Sequence, residues 1–257
     1  MSRPAQHPAS TSDARTRATA TLTVGTWNVG NGTNQDGREL VRQVDALALQ
    51  EASDQDRMIA ALITEGCRVI RPDQLGAPAT PLVYNPAVLL LTRPLVMPML
   101  WGGDLEVGPG TGPDRSKPKW LIGGYFIHKP SRRRVAIAST HRVPGQRLGN
   151  RREVAASLHA LRVAKTFEGY TGVPVVGGDW NAEPDRHSLR QLRHEDWTCD
   201  QLAGRRIPTH GGWCPDHVWW RKDDRIRFRS HDTLSNGSDH DALVVQFALT
   251  IRTGGTR

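Results

Sequence analysis

Val173-Pro-Val-Val-Gly-Gly-Asp179-Trp-Asn181-Ala-Glu-Pro184 is the stretch on which the reading of this chain turns. Valine at three of its first four positions suits a buried, pleated strand. Gly177 and Gly178 end the run and let the backbone turn tightly or approach another group closely. Asp179 and Asn181 therefore leave a rigid strand, where a site holds its geometry better than on a free loop. The plain alternative is an Asx-rich turn capping a following helix, with Pro184 in its first turn. What the other strand ends carry separates the two.

Working outward, Thr21 to Val29 alternates like a strand and carries Asn28 near its end, with Gly30-Asn-Gly32 as the loop. Helical character over Gly37–Val44 leads into an apolar strand, Asp45–Glu51, ending in Gln50-Glu51. A helix over Asp54–Glu65 presents Met58, Ile59, Leu62 and Ile63 at one-face spacing, and Cys67–Ile70 is the next strand. Leu82–Tyr84 and Val88–Thr92 read as short strands broken by Pro86 and Pro94, and Gly102–Lys119 as a long surface loop. Trp120–Ile127 and Arg134–Thr140 form a hairpin, after which comes His141. A helix from Arg151 to about Phe167 turns Val154, Leu158, Leu161 and Ala164 to one face; a shorter helix spans Ser188–Arg193. Strands over Asp216–Trp220, Ile226–Arg229 and Asp241–Ile251 close the chain, the last preceded by Ser238-Asp239-His240. Strands alternating with helices imply an α/β layered domain.

The chain has 257 residues, a formal net charge of +8, 37% hydrophobic residues and three cysteines. That length allows one large domain with ample core. Residues 1–20 read as a disordered basic tail, 21–251 as the domain and 252–257 as a second short tail. The charge favours polyanionic partners: nucleic acid, phosphorylated small molecules or an anionic surface. Cys67, Cys199 and Cys214 are too far apart for a zinc spacing and point to a reducing compartment. No apolar run approaches the ~18 residues of a membrane span, and nothing apolar follows Arg3 and Arg15 as in a secretory signal. A cytoplasmic monomer is the expectation.

Asn28, Glu51, His141, Asp179 with Asn181, and Asp239 with His240 all mark strand ends, and Asp216 opens a further strand. Each alone reads as a turn residue, cap or solvated acid. Together they do not, because α/β sheets bind ligands at strand ends. Here the sequence resembles the endonuclease/exonuclease/phosphatase superfamily, which includes deoxyribonuclease I and inositol-polyphosphate 5-phosphatases. Thr26-Trp-Asn28, Leu49-Gln-Glu51, Ser139-Thr-His141, Gly178-Asp179-Trp-Asn181 and Ser238-Asp239-His240 occur in its order and spacing, over about Thr21 to Ile251. Two departures stand out: Trp180 replaces the usual Phe, and His217 follows Asp216 where many relatives have Tyr. The superfamily's mid-chain phosphate contact has no clear motif. Tyr84, Lys119 and Arg142 are its candidates, and Arg142 is assigned to the substrate.

The resemblance implies a four-layer α/β/β/α sandwich of two packed mixed sheets flanked by helices. It also implies a phosphoesterase dependent on Mg²⁺, with Mn²⁺ as a substitute. A phosphodiester repels nucleophiles, so its hydrolysis needs a cation to neutralise it and a base to activate water. Mg²⁺ takes oxygen ligands and keeps several waters, so few protein ligands suffice. By resemblance, Asn28, Glu51 and Asp239 are the metal residues. Asp179 activates water, Asn181 donates to the phosphate, His141 donates to a non-bridging oxygen, and His240 is oriented by Asp216. Basic charge points to a nuclease, with Arg132–Arg134, Arg147, Arg151-Arg152 and Arg205-Arg206 as backbone contacts. The alternatives are a phosphatase or lipid phosphodiesterase, and a non-catalytic nucleic-acid-binding module on the same fold.

Overall fold

Side chains of a strand alternate between faces, so strands buried on both sides must lie between two apolar layers. The computed structural model, which describes residues 18–30, 36–52, 55–71, 79–100, 118–144 and 150–253, shows this arrangement twice. In chain order the elements are β1 (Thr19–Asn28), α1 (Arg38–Gln43), β2 (Ala46–Gln50), α2 (Asp56–Thr64), β3 (Arg68–Ile70), β4 (Leu82–Tyr84), β5 (Leu89–Leu100), β6 (Lys119–His128), β7 (Arg133–His141), α3 (Asn150–Thr166), β8 (Val173–Asp179), α4 (Arg190–His194), β9 (Trp197–Cys199), α5 (Asp200–Ala203), β10 (Asp216–Arg221), β11 (Ile226–Leu234) and β12 (Ala242–Thr250). One sheet runs β11-β12-β1-β2-β4-β3 and the other β5-β6-β7-β8-β10-β9. Each holds one parallel pair, β1 with β2 and β7 with β8, among antiparallel ones.

The three largest apolar clusters among the described residues fill the gaps between four layers. Leu22, Val24, Ala48, Ile137, Val175, Val245 and Phe247 belong to the core between the sheets. Trp27, Leu47 and Leu49 of the first sheet's outer face meet Leu40 of α1 and Met58, Ile59 and Leu62 of α2. Ala136, Ala138 and Val176 of the second sheet meet Ala160 and Val163 of α3. The α/β/β/α order expected from the resemblance is the order found. Gly177 lets the sheets approach, since a Cβ there would lie 2.9 Å from the Ala48 Cβ. Just above it Thr26 Oγ1 donates to Gln50 Oε1 (3.2 Å), Gln50 Nε2 to Ser139 Oγ (3.2 Å), and Ser139 Oγ to the Leu49 carbonyl (2.8 Å). Three of the motif residues thus stitch the sheets together beneath the rim.

Several expectations need correction. β1 already begins at Thr19, inside the stretch read as tail. β5 does not stop at Pro94 but runs through it and Pro98. It is an edge strand with two register shifts, where a missing N–H breaks no ladder. α3 turns a partly different face inward: Ala164 is buried as expected and Val154 is 66% exposed, while Ala155, Ala156, His159, Ala160 and Val163 are buried. Small alanines let that helix lie close on the sheet. β9 and α5 were not foreseen, being only three and four residues long. Most of the expected Gly102–Lys119 loop lies outside the described residues, as do Arg147, the side chains of Arg151 and Arg152, and Asn31 and Gly32.

Candidate active site

Strand register brings the site together. Asp179 ends β8 directly opposite His141 of parallel β7 and opposite Asp216 of antiparallel β10. In the other sheet Asn28 is paired with Gln50, so Glu51 follows one residue beyond. His240 stands just before β12 and accepts, at its carbonyl, the indole N–H of Trp27 (3.2 Å). All eight sequence-assigned catalytic and metal residues therefore lie on one rim, contributed by both sheets.

Contacts across this rim are dense. Asn28 Nδ2 donates to Asp179 Oδ2 (3.0 Å) and to Glu51 Oε1 (3.2 Å). His141 Nε2 is 3.5 Å from Asp179 Oδ2 and 3.9 Å from Glu51 Oε1. Asn181 N–H donates to Asp179 Oδ1 (2.7 Å), closing a tight turn. Asp216 Oδ2 accepts from His240 Nδ1 (2.8 Å) and Thr209 Oγ1 (2.6 Å), so the His240 Nε2 is the free ring nitrogen. Glu51 and Asn181 both adopt left-handed backbone, with φ of 56° and 48°. Such conformations cost on the order of 1–3 kcal/mol each and gather at functional sites.

Charge is distributed unevenly. Burial and the neighbouring Asp216 carboxylate push Asp179 up to about 7, against the pull of His240, the Asn181 N–H and the Asn28 amide. Burial alone would lower His240, but its bond to Asp216 and the charges of Asp216, Asp179 and Asp239 hold it up at about 9. Burial, then Lys119, His159 and His240, keep His141 well below the usual imidazole range and hence neutral. A carboxyl near neutrality beside an imidazolium is a paired acid–base arrangement.

Asn28 turns its amide nitrogen to the two carboxylates, orienting them, while its oxygen accepts the Gly30 N–H (2.9 Å) and keeps a second lone pair. Arg142 is fully buried and bonded to the loop beneath the site, out of reach of a substrate. Tyr84 is buried too, edge-on to Phe126 in the core between the sheets. Arg132–Arg134 sit at the far end of β7 from His141, and Arg133 is bonded to Thr250. Arg206 pairs with Glu183 (3.3 Å) and Asp185 (2.7 Å).

A cleft of about 620 Å³ opens beside Asn181 and His240, lined also by Glu183, His210, Gly211 and Trp213. Sequence reasoning missed this wall. Its signal is His210-Gly-Gly-Trp213, a two-residue turn with φ of 52° and 83° at the glycines, the left-handed pair such hairpins require. His210 stacks on His240 at 4.3 Å between ring centroids and donates Nδ1–H to the Asp239 carbonyl (2.8 Å). Trp213 is 54% exposed.

His217, the departure noted beside Asp216, is structural. Its Nε2–H donates to the Cys214 carbonyl (2.6 Å) and its Nδ1 accepts the Trp219 indole N–H (3.2 Å). Protonation would set two N–H groups against each other, and burial foremost lowers the group to about 3. Because this folded value lies below the ordinary 6.5, its stabilising contribution is complete above pH 6.5 and is lost as pH falls toward about 3. Melting temperature is expected to fall between pH 7.5 and pH 5, and less steeply in His217→Gln. An equal slope in both proteins would contradict this.

The sequence profile of the Endonuclease/Exonuclease/phosphatase family matches residues 25–240, which span every motif on this rim. The chain belongs to this family. No curated protein matches it. Among solved structures, the human Nocturnin catalytic domain with bound sulfate is similar at 20% identity and a TM-score of 0.67, over 91% of this chain and 97% of that one. The Bacteroides thetaiotaomicron mannosyl-6-phosphatase Bt3783 is similar at 15% identity and a TM-score of 0.66, over 88% and 99%. D. rerio TDP2 complexed with single-strand DNA product is similar at 11% identity and a TM-score of 0.63, over 89% and 99%. At these identities the likeness is one of fold, and it agrees with the family's two packed sheets.

Within this family fold the rim also offers metal donors. Ligand atoms of Asp179, Asp216 and His240 lie within 4.8 Å of one another, as do those of His210, Asp239 and His240. Glu51 belongs to neither group; its Oε1 accepts from Asn28, and a carboxylate has further lone pairs for an ion. Hard oxygen donors with room for waters suit Mg²⁺ or Mn²⁺. The rim's carboxylates fit such an ion, whereas a protonated His240 does not coordinate. Among the described residues no helix is long and apolar enough to cross a membrane.

Proposed function

We propose that the chain is a divalent-metal-dependent hydrolase of phosphodiesters in nucleic acid, a nuclease. The observation that carries the reading is the register that sets Asp179 directly between His141 and Asp216, with Asn28 linking it to Glu51. Mg²⁺, or Mn²⁺ in its place, supplies positive charge against the phosphate when bound; Glu51 and Asp239 hold it and Asn28 orients Glu51. Asp179 takes the proton of the attacking water, a task suited by a carboxyl near neutral pH. Asn181 donates its amide, and neutral His141 its Nε2–H, to non-bridging oxygens. His240, kept protonated by Asp216, donates Nε2–H to the phosphoryl group as negative charge builds there. The exposed Trp213 face in the cleft suits a flat group such as a base beside the scissile phosphate. One copy of the chain suffices, since every residue in the reading comes from the same rim.

One observation favours a second reading, a phosphatase acting on a compact phosphoester. Among the described residues, arginines expected to track a nucleic-acid backbone are engaged elsewhere: Arg132–Arg134 lie at the far end of β7, with Arg133 bonded to Thr250, and Arg206 pairs with Glu183 and Asp185. Plasmid nicking, cleavage of single-stranded DNA and RNA, and phosphate release from monoesters, each with Mg²⁺ or Mn²⁺, separate the two. Cleavage of internal phosphodiesters supports the nuclease. Phosphate release with nucleic acid left intact supports the phosphatase, and no cleavage of any phosphoester contradicts both.

A further inference from the structure

We propose that Arg142 is a positioning residue that fixes Asp179 and Asn181 for reaction from beneath the site, without touching substrate. The inference rests on the roles given to those two residues above. Four contacts join Arg142 to the segment that carries them, and a fifth reaches Ser188. Its backbone N–H donates to the Asp179 carbonyl (2.9 Å), and its carbonyl accepts from Asn181 Nδ2 (2.8 Å). Its guanidinium donates through Nε to the Trp180 carbonyl, through Nη2 to the Asn181 carbonyl (3.4 Å), and through Nη1 to Ser188 Oγ (2.9 Å).

None of these partners carries a charge, and the side chain is fully buried. Burying a cation among carbonyls is costly, so its retention asks for a return beyond packing. Burial lowers the guanidinium to about 10, which leaves it charged at neutral pH. That charge reaches the site through one peptide unit. The guanidinium binds the Trp180 carbonyl, and the N–H at the other end of that same peptide group donates to Asp179 Oδ1 at 2.7 Å. Bonds in such a chain polarise one another, so the cation strengthens the hold on the carboxylate. The same clamp keeps Asn181 in its left-handed conformation and commits one of its amide hydrogens to Arg142, leaving the other for phosphate. The planar fork spreads its donors over three nitrogens, one to each acceptor; a lysine ammonium carries its three donors on a single nitrogen and does not span them.

The test compares Arg142→Lys, Asn181→Ala and the double variant, with kcat expressed per folded molecule. Misplacing a reacting group by about 1 Å costs on the order of 10²-fold, so Arg142→Lys is expected to lose about 10–10²-fold in kcat with KM changed little. Because Arg142 acts on the Asn181 side chain and, through the Asn181 backbone N–H, on Asp179, the double variant is expected to lose clearly less than the product of the two single losses; independent effects would multiply. Should Arg142→Lys fail to fold, Ser188→Ala replaces it in the same cycle, since it removes one anchor of the fork and no group on the rim. Multiplying losses, or an Arg142→Lys enzyme with parental kcat, overturn the proposal. A parent inactive on every phosphoester overturns the functional reading instead. The clamp is then read by NMR from the Asn181 side-chain amide protons, whose chemical shifts and solvent-exchange rates are expected to change in Arg142→Lys or Ser188→Ala. Unchanged signals overturn the clamp.

Discussion

Asp179→Asn is expected to fold like the parent and to lose at least about 10²–10⁴-fold in turnover, the usual contribution of a general base. The structure sharpens what the substitution does. Asp179 Oδ1 accepts the Asn181 N–H and Oδ2 accepts Asn28 Nδ2. An asparagine that keeps its oxygen toward Asn181 preserves the turn, so a residue serving only as a cap would tolerate it. Its nitrogen then faces the Asn28 amide, donor against donor, which disfavours the new side chain. Relief of a buried carboxylate beside Asp216 works the other way, because that pair holds Asp179 up at about 7. These opposing terms leave the melting temperature close to the parent's. Turnover and thermal melting of the two proteins are the measurement, and turnover within a few-fold of the parent would reduce Asp179 to a turn former.

Glu51→Gln is expected to collapse activity by at least about 10²-fold at ordinary Mg²⁺, since charge stabilisation by a bound cation is worth several kcal/mol. Glutamine keeps the carbonyl oxygen that accepts from Asn28 and is the same size, so the link across the rim survives while the negative charge does not. The left-handed backbone at this position is unchanged by the substitution. If the defect is one of binding, excess metal restores part of the rate, and a titration of rate against Mg²⁺ shows a raised midpoint. Full activity at ordinary Mg²⁺ would show that this carboxylate is not the ligand.

Much of this site was legible because its residues sit where the sequence changes character. The valine run ending in Gly177-Gly178 announced a strand exit, and Asp45–Glu51 did the same for Glu51. What no local pattern carries is register: the pairing of Asp179 with both His141 and Asp216 joins residues far apart in the chain. Arg142 shows the same limit more sharply. A charged residue beside His141 suggested a substrate contact, yet the chain bends under the site there and buries it. Net charge likewise has magnitude and no direction: it could not say that Arg132–Arg134 lie at the end of β7 away from His141. In α3 the largest apolar side chains suggested the inner face, whereas close packing on the sheet selected alanines. The His210–Trp213 turn was readable from its paired glycines and went unread because no strand pattern flanks it.

The most direct measurement is hydrolysis in ¹⁸O-enriched water, with Mg²⁺ and then with excess EDTA, on whichever phosphoester the protein cleaves. A water activated by Asp179 in a metal-dependent site predicts one ¹⁸O in the phosphoryl product and no turnover once the metal is chelated. Product without label, or turnover that continues in EDTA, would contradict the account.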